Sequence, residues 1–192
     1  EKISITAEKL SAGEILQIEK SMTRSMDEAT YFDMIGQKTA SLIATSCELG
    51  AITTTKKEID MKSTYNFGHN LGIAFQIKDD LFDIVGSEND TGKNGNNDVK
   101  SNMITLPIIY ARVNMSKSEK RQLNKLLSIK RKNKKNLSDI LGLVTDAGGI
   151  EYSIKKMNEY SELAKDAISH YPESVIKDSL IRIITFNVSR VK

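Results

Sequence analysis

The segment Gly72-Ile73-Ala74-Phe75-Gln76-Ile77-Lys78-Asp79-Asp80-Leu81-Phe82-Asp83 decides how the rest of the chain is read. It is an apolar helical run that carries three carboxylates close together. With Gln76 set at zero on a helical wheel, Asp79 falls at about 300°, Asp80 at about 40° and Asp83 at about 340°, whereas Lys78 points away at about 200°. Gln76, Asp79, Asp80 and Asp83 therefore form one polar stripe, and Tyr65, His69 and Gly72 lie on the same side. Leu71, Ile73, Ala74, Phe75, Ile77, Leu81, Phe82, Ile84 and Val85 cover most of the remaining circumference, which predicts a buried helix rather than an exposed acidic face. Unpaired buried charge is costly, so the stripe implies a hard divalent cation in a cavity. Magnesium takes few oxygen ligands from protein and completes its shell with water and phosphate, and the calcium-loop pattern is absent. A Gly/Asn/Lys-rich loop follows, over residues 86–102, with basic side chains suited to phosphate.

Working outward, 192 residues suffice for one domain with a sizeable core. Proline occurs twice, tryptophan is absent and aromatics are few, a balance that favours an all-α protein. The net charge of +3 is too mild to argue for nucleic acid or a membrane surface. The single cysteine, Cys47, has no internal partner for a disulfide, which fits a reducing compartment, and the expected location is cytoplasmic. No apolar run is long enough to span a bilayer, so no stable membrane insertion is expected. The chain starts at Glu1 without methionine, as a processed, truncated or excised segment would.

The elements are predicted in order as follows. A helix covers about residues 4–21. Asp27 caps a second, from Glu28 to Leu49, with Gly50 at its C-terminal cap; it carries few charges (Asp33, Lys38, Glu48) and reads as buried. A third runs from about Lys56 to Val85, long for a globular helix and so leaving room for a kink or break. Helix resumes from Ile104 to Val113, and Ser116 caps another, to Ile129. Lys130 to Lys135 reads as a solvated basic linker. Leu137 to Ala147 is a short helix. Ile150 to His170 places Ile154, Met157, Leu163, Ala164, Ala167 and Ile168 on one side, and Pro172 opens the last helix. No repeat and no domain boundary is visible, so residues 1–192 are expected to form a single partial domain.

Phe75-Gln76-Ile77-Lys78-Asp79-Asp80-Leu81-Phe82-Asp83, then Gly92-Lys93, Asp98 and Thr105-Leu106-Pro107, resembles the second aspartate-rich region of trans-type isoprenyl (polyprenyl) diphosphate synthases. Gly13-Glu14-Ile15-Leu16-Gln17 is similar to the family's Gly-Glu/Gln-x-x-Gln/Asp helix. Tyr31 with Lys38-Thr39-Ala40 is similar to its Lys-Thr-Ala motif, and Arg190 and Lys192 to its basic C-terminus. The resemblance implies an isoprenoid-synthase-type helical bundle and a condensation of an allylic diphosphate with isopentenyl diphosphate. It implies Mg2+ held by Asp79, Asp80 and Asp83, diphosphate contacts from Lys38 and Lys93, and Thr39 and Gln76 beside the carbocation. A homodimer is the expected assembly. Glu14 and Gln17 are weaker candidates, and His69 reads as a core or cavity histidine.

Two departures stand out. The family's other aspartate-rich region, with a glycine-lysine-arginine motif, lies N-terminal to everything seen here, and the early helices that carry it are absent from this sequence. The chain alone is therefore expected to be incomplete or inactive. In addition, Asn102-Met103 stands where a basic residue usually precedes Thr-Leu-Pro. A non-catalytic subunit or dimerisation partner of a heteromeric synthase is the alternative. A terpene cyclase is disfavoured, because its second metal motif would need Ser/Thr at Asp83 and Glu at Ser87. A nucleic-acid binder is disfavoured too, since no aromatic platform accompanies the basic linker.

Overall fold

The computed structural model describes residues 1–85 and 103–190, and every regular element among them is helical. The helices are α1 (Lys2–Thr23), α2 (Glu28–Ile35), a π-helical segment (Gly36–Ala40), α3 (Ser41–Ile52), α4 (Glu58–Val85), α5 (Leu106–Asn114), α6 (Lys117–Ser128), α7 (Lys134–Asp146), α8 (Gly149–Ala167) and α9 (Val175–Ser189). Local chemistry explains several starts. The Asp27 carboxylate accepts from the Thr30 amide at 2.8 Å. Ser116 and Glu119 form a reciprocal capping box on α6, and Asn133 and Asn136 form one on α7. None of these described helices is long and apolar enough to cross a membrane.

The chain divides into two compact units. The first takes residues 1–16, 32–78 and 156–190. Its core gathers Phe67 and Leu71 of α4, Ala164 and Ile168, and Ile184 of α9, with Cys47 and Leu180 against them. Burial raises the pKa of the Cys47 thiol, so it behaves as a small apolar side chain. Helices approach closely here because small residues allow it. A Cβ on Gly13 would lie 2.7 Å from the Lys38 nitrogen, and one on Gly72 would lie 2.6 Å from Ala40 Cα. The second unit takes, among the described residues, 17–31, 79–85 and 103–155. Its buried side chains include Tyr31, Leu81, Ile84, Leu106, Ile108, Leu123, Ile140 and Val144. Tyr110 and Tyr152 stack with centroids 4.0 Å apart, and the Tyr152 hydroxyl donates to Glu28 at 2.7 Å.

Several expectations need correction. The predicted helix from Glu28 to Leu49 is interrupted by the π segment and runs on to Ile52, so Gly50 lies inside α3 and caps nothing. α4 is one unbroken helix of 28 residues. Phe75 and Val85 are exposed rather than buried. α5 starts at Leu106, with Pro107 in its first turn, rather than at Ile104. Lys134 and Lys135 belong to α7 rather than to a linker. On α8 the buried positions are Gly149, Ser153, Met157, Ser161 and Ala164, a four-four-four-three spacing, while Ile154 and Leu163 are exposed. Pro172 precedes the last helix, whose cap is Ser174, accepting from the Lys177 amide.

Candidate functional site

In the first unit, the π segment carries Lys38 and Thr39. An unbroken α-helix would place position 38 inward, one turn after the buried Met34. The wider π turn instead brings Ala40, Ser41, Ala44 and Thr45 into the buried seam. Lys38 and Thr39 are left half-buried beside it. π turns are uncommon and concentrate at functional positions. The Thr39 hydroxyl donates to Gln76 Oε1 of α4 at 2.8 Å. Lys38 Nζ lies 3.2 Å from Glu14 Oε1 of α1. Glu14 is exposed and Lys38 only half-buried, so solvent screens the pair and it adds little to stability, but it brings Lys38 together with Glu14 of the Gly13–Gln17 motif. Lys38, Thr39, Gln76 and Glu14 are thus joined by contacts as well as by motif.

The same unit places Arg190 against α4. Its guanidinium lies 4.3 Å over the Phe75 ring and donates to the Phe75 carbonyl at 3.2 Å. Lys78 Nζ donates to the Val188 carbonyl at 2.9 Å; burial, then the nearby Arg190 charge, lowers its pKa. Lys78 therefore anchors the end of α9 and does not join the stripe, as the wheel predicted. His69 stacks on Tyr65, centroids 6.2 Å apart, in a cavity of about 550 Å³ that Lys9, Phe32, Asp33 and Gln37 also line. Its Nδ1 is buried with no hydrogen-bond partner among the described residues. Burial, then Lys9, lowers the His69 pKa. A neutral, stacked imidazole fits the expected cavity role.

In the second unit lie the carboxylates. Asp80 is 4% exposed, and Asp79 and Asp83 are half-buried. Tyr31, fully buried, donates its hydroxyl to Asp80 Oδ2 at 2.6 Å. Among the described residues, no group of three or more His, Cys, Asp or Glu side chains is arranged to hold a metal ion unaided. Asp79, Asp80 and Asp83 supply carboxylate oxygens, hard donors of the kind divalent cations take, and one of the three is buried and oriented. Gln17 Nε2 donates to Met103 Sδ at 3.4 Å, so the residue that replaces the expected base meets the first motif's glutamine. Lys93, with Gly92, Asp98, Lys100 and Asn102, lies outside the described residues.

Sequence reasoning missed the Tyr31–Asp80 contact and the π segment. The tyrosine and aspartate are 49 positions apart, and no local pattern links them. The close approach of α4 was readable, since Gly68 and Gly72 stand one turn apart on one face.

A family profile described as Polyprenyl synthetase matches residues 1–144. The chain is 32% identical over 183 residues to a prenyl transferase of Cyanidium caldarium, covering 95% of this chain and 55% of the relative. It is 32% identical to heptaprenyl diphosphate synthase component 2 of Bacillus subtilis, covering 96% and 52%. A crystal structure of a polyprenyl synthase from Caulobacter crescentus, complexed with calcium and isoprenyl diphosphate, superimposes with a TM-score of 0.91 at 25% identity, covering 100% of this chain and 58% of that one. The chain belongs to the polyprenyl synthetase family and has the helical fold of its solved members. It spans little more than half the length of these relatives.

Proposed function

We propose that the protein is part of a trans-prenyltransferase that condenses an allylic diphosphate with isopentenyl diphosphate. The observation that carries this reading is the polar stripe of α4, in which Thr39 orients Gln76 and Tyr31 orients Asp80. Asp79, Asp80 and Asp83 would hold Mg2+ against the allylic diphosphate. Bound there, magnesium would neutralise charge on the leaving diphosphate. Lys38 binds diphosphate oxygens, and Lys93 is assigned the same task. Thr39 and Gln76 present fixed dipoles beside the developing cation, and preorganised dipoles of this kind stabilise charge that appears only in the transition state. Apolar walls exclude water from the cation.

The reading also holds that turnover requires a second aspartate-rich region, that the assembly is a homodimer, and that the enzyme is cytoplasmic. The likeness to a relative named component 2 favours one further reading, a subunit of a two-chain synthase. Incubation with an allylic diphosphate, labelled isopentenyl diphosphate and Mg2+ tests both. The chain is assayed alone and as the complete protein. Product from the complete protein alone, with at least a hundredfold loss in Asp79→Ala and Asp80→Ala, supports the enzyme reading. Turnover unchanged by either substitution removes the role given to the stripe. Product only after a second chain is added supports the subunit.

A further inference from the structure

Among Asp79, Asp80 and Asp83 of α4, Asp80 is the buried one. A buried carboxylate is costly unless its oxygens are hydrogen-bonded. The hydroxyl of Tyr31, which is itself 0% exposed, donates to Oδ2 at 2.6 Å. That length falls in the range of an O–H donor on an ionised oxygen. Tyr31 sits on α2, just ahead of the π segment, so its ring is fixed by the core around it. A phenylalanine would fill the same space, and only the hydroxyl distinguishes tyrosine there.

We propose that Tyr31 is a positioning residue for Asp80. Its hydroxyl holds Oδ2 and so sets the rotation of the carboxylate that would meet a divalent cation. This rests on the reading of α4 as a metal-binding helix. Groups that orient a ligand from behind are worth about 10- to 100-fold in metal affinity. A hydroxyl that merely satisfied itself on the nearest acceptor would matter to folding and not to the metal.

The test is a titration of the protein with Mn2+ in the presence of inorganic pyrophosphate, followed by the electron paramagnetic resonance of free Mn2+. Tyr31→Phe is expected to weaken Mn2+ binding by roughly tenfold or more, with the helical circular dichroism retained. In an Asp80→Asn background the same substitution is expected to add nothing, because its effect passes through that carboxylate. Met34→Ala, which removes a buried side chain of the same helix, controls for loss of stability and is expected to leave Mn2+ affinity unchanged. The inference is overturned if Tyr31→Phe lowers the melting temperature but binds Mn2+ like the parent, or if its effect is equally large in the Asp80→Asn background. Loss of Mn2+ affinity in Met34→Ala matching that of Tyr31→Phe overturns it as well. A parent protein that shows no pyrophosphate-dependent Mn2+ binding overturns the metal reading of α4 itself, and the inference with it.

Discussion

Thr39 donates its hydroxyl hydrogen to Gln76 Oε1 across 2.8 Å. The bond decides which end of the amide is which, because an oxygen held by a donor cannot exchange places with the NH2 group without losing the bond. Thr39→Val keeps the shape and removes the donor. A lost hydrogen bond of this kind is worth about 1.4 kcal/mol, or roughly tenfold in rate. Turnover by the complete protein is therefore expected to fall about tenfold in Thr39→Val and to stay near the parent value in Thr39→Ser. Steady-state assays with labelled isopentenyl diphosphate measure both.

Two glycines inside helices should respond to alanine with opposite signs. At Gly72 a new Cβ would lie 2.6 Å from Ala40 Cα and 2.9 Å from Ala40 Cβ, so helices must move apart. Gly72→Ala is expected to destabilise the fold by about 1–3 kcal/mol. At Gly50 a new Cβ meets nothing within 4 Å, and Gly50→Ala should stabilise α3 by about 0.5–1 kcal/mol. Urea denaturation of the two variants checks the signs.

His69 makes stability depend on pH. Its folded-state pKa lies below the ordinary 6.5, through burial first and Lys9 second; Asp33 and Tyr65 also face the same cavity. The folded state thus binds its proton less readily than the unfolded chain. The stabilisation is fully present above pH 6.5 and is lost as pH falls toward the folded-state value. Melting temperatures should decline from about pH 6.5 to 5 in the parent and decline less in His69→Gln. The other histidine, His170, is exposed and serves as the control through His170→Gln.

The capping box at the start of α6 is a local device. Ser116 accepts from the Glu119 amide at 3.3 Å, and Glu119 accepts from the Ser116 amide at 2.9 Å. Ser116→Ala is expected to cost about 1 kcal/mol. Guanidinium denaturation of the variant measures it, and Ser116→Asp should recover most of the loss.

What could be read from the sequence was what depends on periodicity and short-range chemistry. The apolar circumference of α4 required a stripe of Gln76 and the three aspartates. Asp27 and Ser116 declared their helices by their own side-chain chemistry. What could not be read depends on contacts between segments far apart in the chain. Phe75 looked like core but is exposed, with the Arg190 guanidinium over its ring. Ile154 and Leu163 are apolar yet lie off the buried spacing of α8, because burial follows where a neighbouring helix lies and not which side chains are greasy. Pro172 was assigned to the last helix because proline suits a first turn, but Ser174 supplies the cap three residues ahead of Lys177.

The π segment acts as a phase shifter in an otherwise regular rotor. From the buried Ile35, ordinary four-residue steps would lead to Thr39 and then Ile43. The extra residue in the π turn advances each by one, so Ala40 and Ala44 face inward and Leu42 is 51% exposed. Were the segment to wind as ordinary α-helix at its full length, the rotor beyond it would slip by about 100°. Thr39 would part from Gln76, and Leu42 would turn toward the core. One residue of chain length thus holds two helical registers apart, and the chemistry sits at the seam between them.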